Sequence, residues 1–210
     1  MWSATSSGSA RRRAPTRFSI SAAATRGSLG NASARFPPAS YRGVDLSASA
    51  LEDARFHLAG IPGVGLEERD LLAAVEDAVG TCDLIFSGFA VHHLDPADKQ
   101  RLFLACARHL APGGQFLMVD IVREDEQTRE ACVDAYLQMM RTGWTQIPPD
   151  QLDEACTHVA AYDRPETLAT LGAMAAAAGL HATRLLARFG PHHVIQFAGS
   201  RGEGIAEDVR

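Results

Sequence analysis

Asp83 to Asp120, DLIFSGFAVHHLDPADKQRLFLACARHLAPGGQFLMVD, decides how the rest of the chain is read. Leu84, Ile85 and Phe86 form a continuous apolar run, the pattern of a central parallel strand covered on both faces. A loop with His92 and His93 follows. Asp95-Pro96 then opens a helix with Leu102, Ala105, Cys106 and His109 at core-facing spacing. Pro112-Gly113-Gly114 reads as a turn, and Gln115 to Ile121 as a second buried strand. Strand, helix and strand in that order make one unit of an α/β sandwich.

Working outward, the alternation continues. Ala39 to Asp45 is a short strand ending on a carboxylate, and Ser47 caps a helix over Ala48 to Leu58. Gly60, Pro62 and Gly63 break that helix. Val64 to Arg69 reads as a third short strand. Asp70 opens a Leu- and Ala-rich helix to about Val79, stopped by Gly80. Downstream, Arg123 to Ala161 is polar and helical, interrupted at Gly143 and at Pro148-Pro149. Pro165 to Ala178 is an Ala-rich helix. Leu180 to Phe189 and Val194 to Ala198 read as strands joined at Gly190-Pro191. The expected fold is α/β: a doubly wound, mostly parallel, Rossmann-like sheet closed by an antiparallel C-terminal hairpin. Its domain runs over 39–199, with 123–163 as a helical cover, 1–38 as an irregular N-terminus and 200–210 as a frayed tail.

At 210 residues the chain holds one α/β domain, and 46% hydrophobic with 21% charged residues is ordinary for a globular protein. No run approaches the roughly 18 apolar residues of a membrane span. Cys82, Cys106, Cys132 and Cys156 are widely spaced and read as buried reduced thiols of a cytoplasmic protein. Residues 1–44 contain seven arginines and no acidic residue. The remaining 166 residues carry 13 basic and all 25 acidic residues, a net charge of −12. A body that acidic is not expected to bind nucleic acid through its phosphates.

In such sheets, ligands sit outside the carboxyl ends of the strands, so residues just after each strand carry the chemistry. Asp45 can accept hydrogen bonds from vicinal ribose hydroxyls, and otherwise serves the helix that follows it. Asp70 can take an exocyclic amine, and otherwise is a helix N-cap. Ser87-Gly88 lets the backbone pass close to a ligand. His92 and His93 lack a second cluster at ligand spacing, so a packed, hydrogen-bonded pair is expected and no metal site.

GVDLS, DLIFSGFAVHHL and LAPGGQFLMVD, in this order, resemble the small-molecule class I S-adenosylmethionine-dependent methyltransferases over roughly Phe36 to Ala198. The resemblance implies a seven-stranded sheet with S-adenosylmethionine as cofactor and a small organic methyl acceptor. It implies that Asp45 with Leu46 holds the ribose, Asp70 with Leu71 the adenine, and Ser87 the methionine part. The cover over 123–163 would form the acceptor pocket with His92, Tyr136, Trp144 and His158, and His158 is the candidate base. A monomer or homodimer is expected. A nicotinamide-dependent oxidoreductase is the rival enzyme, because an acid after the second strand serves that fold too. A non-catalytic remnant or interaction protein is the third reading.

The chain departs from this family at its start. An Asp-x-Gly-x-Gly-x-Gly turn should lie about 20 residues before Asp45, where its glycines allow close backbone approach to the cofactor. RFSISAAATRGSLGNASARF stands there, and only Gly27 falls where a motif glycine belongs. No room is expected for a sound first strand before Ala39. Arg- and Ser-rich, acid-free N-termini resemble transit peptides. The favoured reading is a shifted frame. The codons GAT CTC GGC TGC GGC encode Asp-Leu-Gly-Cys-Gly, and read one nucleotide later they give the Ile-Ser-Ala-Ala-Ala of Ile20 to Ala24.

Overall fold

The structure is a computed structural model that describes residues 18–22, 40–61 and 63–199. Seven strands form one sheet: β1 (Phe18–Ala22), β2 (Tyr41–Asp45), β3 (Val64–Glu68), β4 (Cys82–Gly88), β5 (Leu110–Ile121), β6 (Ala182–Phe189) and β7 (His192–Ala198). Their order is β3-β2-β1-β4-β5-β7-β6. The first four pairings outward from β3 are parallel as far as β5, and β7 runs antiparallel between β5 and β6. A dinucleotide-binding sheet has the order 3-2-1-4-5-6. The reversed strand inserted beside β5 sets this sheet apart from it.

Among the described residues six α-helices accompany the strands: α1 (Ala48–His57), α2 (Leu71–Glu76), α3 (Pro96–His109), α4 (Arg129–Gly143), α5 (Pro149–Tyr162) and α6 (Leu168–Ala177). Short polar side chains start five of them. Ser47, Asp70, Asp95, Thr128 and Thr167 each accept a hydrogen bond from a backbone N–H of the first turn. The main core lies between the sheet and α2, α3 and α6. At its centre the rings of Phe103, Phe116 and Phe197 meet with centroids 4.9–5.6 Å apart, all fully buried. A second cluster joins Ile121 to α4 and α5 through Cys132, Val133, Tyr136, Leu137, Met140 and Cys156.

Two expectations need correction. The sheet begins at Phe18, not at Ala39: β1 lies in its middle, paired in parallel with both β2 and β4. Its last residue, Ala22, stands in register with Val44 and Ser87, so the chain leaves β1 beside Asp45. The frame and leader readings of residues 1–17 and 23–38, and Gly27 with them, lie outside the described residues. The other correction concerns Pro112-Gly113-Gly114. These residues are a bulge within β5 rather than a turn before it, because Leu110 already pairs with Cys82 and pairing resumes at Gln115 with Leu84. Gly113 adopts a left-handed φ of 81°.

A Cβ on Gly114 would stand 2.9 Å from the Ala111 carbonyl oxygen and 3.1 Å from that of Cys82. Backbone cannot yield as a side-chain end can. Gly114→Ala is therefore expected to cost about 2 kcal/mol of stability, read as a lower urea midpoint at unchanged slope. An unchanged midpoint would mean that the bulge relaxes freely.

Candidate functional site

Two adjoining cavities open at the carboxyl ends of the strands, around the switch point between β1 and β4. The larger, about 590 Å³, is lined by Asp45, Leu46, Asp70 and Leu71 at the ends of β2 and β3. The smaller, about 400 Å³, lies under α4 and α5 and is lined by His92, Tyr136, Met140, Trp144, Asp163 and His192 among others. Phe89, His93 and His158 line both. Both volumes fall in the range of about 300–1,000 Å³ usual for small-ligand sites.

In the larger cavity the carboxylates sit where local structure requires them. Asp45 Oδ1 accepts from the backbone N of Ser47 at 2.8 Å, which turns the chain from β2 into α1. Asp70 caps α2 by accepting from Ala73 N at 2.9 Å. Both therefore make the local bonds of a cap while facing the cavity. Ser87 does not line it. Its side chain is fully buried in β4, and its hydroxyl has no hydrogen-bond partner among the described residues.

Phe89 follows β4 with φ 52°, the only left-handed non-glycine among the described residues. A bulky side chain on such a backbone is strained, and such strain persists only where surrounding structure enforces it. Here Phe89 N donates to Val119 O at 2.8 Å, and the ring packs edge-on against His192 at 5.1 Å.

The smaller cavity has a charged floor. Asp120, at the end of β5, is 1% exposed and holds the histidine loop from both sides. It accepts from Val91 N at 2.9 Å and from His92 N at 3.3 Å, and its other oxygen takes His92 Nδ1. His92 Nε2 then faces Asp163 Oδ2 at 3.6 Å, and His93 Nδ1 stands 3.2 Å from Asp163 Oδ1. Burial works against a charge on His92, but Asp120 and Asp163 outweigh it and raise its pKa above the ordinary value. On the wall, burial with Asp163 and Asp120 nearby pushes the Tyr136 hydroxyl up to about 12, so it stays protonated. It meets His192 Nε2 at 3.2 Å. Burial lowers the His192 pKa, which keeps that ring neutral at pH 7.

The sequence candidates thus divide between the cavities. Asp45, Leu46, Asp70 and Leu71 fall in the larger, His92, Tyr136 and Trp144 in the smaller, and His158 on their shared wall. Sequence reasoning missed Phe89, Asp120, Asp163 and His192 as site residues. Asp120 carried a signal, an acid at the end of a central strand. Asp163 had none beyond its place at the end of the helical cover.

The strand order, the reversed seventh strand and a site at the switch point define the class I S-adenosylmethionine-dependent methyltransferase fold. A family model described as a methyltransferase domain matches residues 22–116, starting at the end of β1 and ahead of the expected boundary at 39. In fold the chain is of that class, and the domain match covers a little under half of it. It is 28% identical over 129 residues to carboxy-S-adenosyl-L-methionine synthase of Aeromonas salmonicida (strain A449), a match covering 59% of this chain and 51% of that protein. Among solved structures it is similar to an O-methyltransferase family protein from Burkholderia thailandensis, with a TM-score of 0.65 and 19% identity over 90% of this chain and 52% of that one. Human N-acetylserotonin methyltransferase in complex with SAM is similar at a TM-score of 0.57 and 13% identity, over 88% of this chain and 48% of that one. The chain therefore spans about half the length of these proteins. Among the described residues no helix is long and apolar enough to cross a membrane.

Proposed function

We propose that this chain transfers a methyl group from S-adenosylmethionine to a small organic acceptor. One observation carries the reading: an acid-bearing cavity and an aromatic cavity share a wall at the switch point. Asp45 would hold the ribose hydroxyls and Asp70 the adenine amine. The donor, when bound, supplies a methyl group on a sulfonium, already activated for in-line displacement. The chain's own task is then alignment and exclusion of water. Phe89, Tyr136, Met140 and Trp144 supply an apolar enclosure for the acceptor. His158, on the shared wall, would accept the proton released by an O–H or N–H acceptor.

Isothermal calorimetry with S-adenosylmethionine, S-adenosylhomocysteine and NAD tests this reading. Binding of the first two and not of NAD is the expected result. Binding of NAD alone overturns it.

The missing glycine turn is part of the same proposal. Glycines at the exit of β1 would let the backbone approach the cofactor, and Ala22 stands there instead. The variant Ile20→Asp, Ala22→Gly, Ala24→Gly is expected to bind S-adenosylhomocysteine about 10-fold more tightly than the chain as it stands, or about 1.4 kcal/mol. Equal affinity would show that this segment makes no difference to the cofactor.

A further inference from the structure

The geometry points to a divalent transition-metal site formed by His92 Nε2, His93 Nδ1 and the Asp163 carboxylate, at the floor of the aromatic cavity. These three ligand atoms all lie within 4.8 Å of one another. About 2.1 Å bonds to a tetrahedral ion would separate them by about 3.4 Å. The Asp163 oxygens already stand 3.6 Å from His92 Nε2 and 3.2 Å from His93 Nδ1. His93 is 41% exposed at its side chain and has room to turn the remaining distance.

The surroundings are those of a ligand set. Asp163 is 2% exposed, and neither carboxylate oxygen has a hydrogen-bond partner among the described residues. A bare buried carboxylate is costly unless a cation or hydrogen-bond donors meet it. Its backbone is nonetheless tightly held. Asp163 N donates to Val159 O at 3.1 Å, and Arg129 Nε donates to Asp163 O at 2.8 Å. The next residue, Arg164, donates its N–H to His92 O at 2.8 Å. The fold thus fixes this carboxylate against the histidine loop, with the His92 and His93 rings as its side-chain neighbours.

His92 is prepared in a second way. Asp120 takes its Nδ1, which fixes the ring and turns Nε2 toward Asp163. A carboxylate on the far nitrogen is the usual outer shell of a metal-binding histidine. Two imidazoles with one carboxylate suit Zn²⁺, Fe²⁺, Co²⁺ or Ni²⁺ and not the all-oxygen preferences of Mg²⁺ or Ca²⁺. His92, His93 and Asp163 all line the aromatic cavity, so the remaining coordination positions would open toward it. The binding claim stands apart from methyl transfer. Only its extension, that an acceptor oxygen completes the coordination, rests on the proposed function.

The test strips the full chain with a chelator and titrates it with Co²⁺ and Zn²⁺, following visible absorption for Co²⁺ and heat for both. One equivalent is expected, with Mg²⁺ giving no heat. Asp163→Asn and His93→Ala are each expected to weaken uptake by more than about 10-fold, while His181→Ala, on the far surface, leaves it unchanged. His93→Ala alters a half-exposed side chain, so it keeps the fold even if Asp163→Asn does not. No stoichiometric uptake, or uptake indifferent to both variants, overturns the site and leaves a protonated His92 as the partner of Asp163. The readout is metal bound, so failure here and failure to bind S-adenosylmethionine are separate results.

Discussion

A Lys99→Ala variant is expected to lose about 3 kcal/mol of stability and to melt about 10 °C lower. Lys99 lies in α3 and is 1% exposed, the bulkiest fully buried side chain among the described residues. Its ammonium donates to the Arg164 carbonyl and to Glu166 Oε1 at 3.0 Å. Burial lowers its pKa below the ordinary lysine range, and Glu166 opposes that shift. Without Lys99, Glu166 keeps only Arg123 at 3.9 Å among the described residues, and the Arg164 carbonyl loses its donor.

The damage would not stay in the core. Arg164 follows Asp163 and anchors His92 O, so the same loss loosens the floor of the aromatic cavity. Lys99→Met with Glu166→Gln removes both charges and is expected to recover most of the stability, since a buried pair costs most when one partner stands alone. Thermal and urea unfolding read both variants. A Lys99→Ala midpoint within 0.5 kcal/mol of the parent (about the scatter of an ordinary surface change) would show that water replaces the ammonium.

Asp45→Asn should weaken S-adenosylhomocysteine binding by about 10- to 100-fold, the worth of a charge-assisted hydrogen bond lost at a buried ligand. Asparagine separates the two roles of the residue. Its amide oxygen still accepts from Ser47 N, now at 2.8 Å from Oδ1, so the turn into α1 survives. What is lost is the second acceptor and the negative charge. Calorimetry on the variant with the restored glycine turn gives the clearest comparison. Unchanged affinity beside an unchanged melting temperature would assign Asp45 to the helix entrance alone.

Much of the fold was legible because local and global preferences agree. Leu84-Ile85-Phe86 reads as a central strand and is one, with Ile85 buried and Leu84 and Phe86 half-buried, and Gly190-Pro191 lies in the link between β6 and β7. Pro148-Pro149 divides the helical cover where α5 begins. β1 was not legible. FSISA is short, with two serines in five residues, and it becomes a strand through pairing with neighbours on both sides, which no local pattern announces. Pro112-Gly113-Gly114 carries every mark of a turn, yet the Leu110–Cys82 pairing draws it into β5 as a bulge. The site shows the same division. Residues directly after strands could be named from their position. The meeting of His92 with Asp163 could not, because one follows β4 and the other ends α5, far apart along the chain.

Phe89 has a consequence for how such a protein could change. Its left-handed backbone would be more comfortable under glycine or asparagine, so stability alone favours replacing it. Its side chain, however, lines both chambers together with His93 and His158, and a smaller residue would widen the space they share. Drift toward a more robust fold and drift toward a less sharply shaped cavity run along the same codon. The position that selection for durability would relax first is one that shapes both chambers.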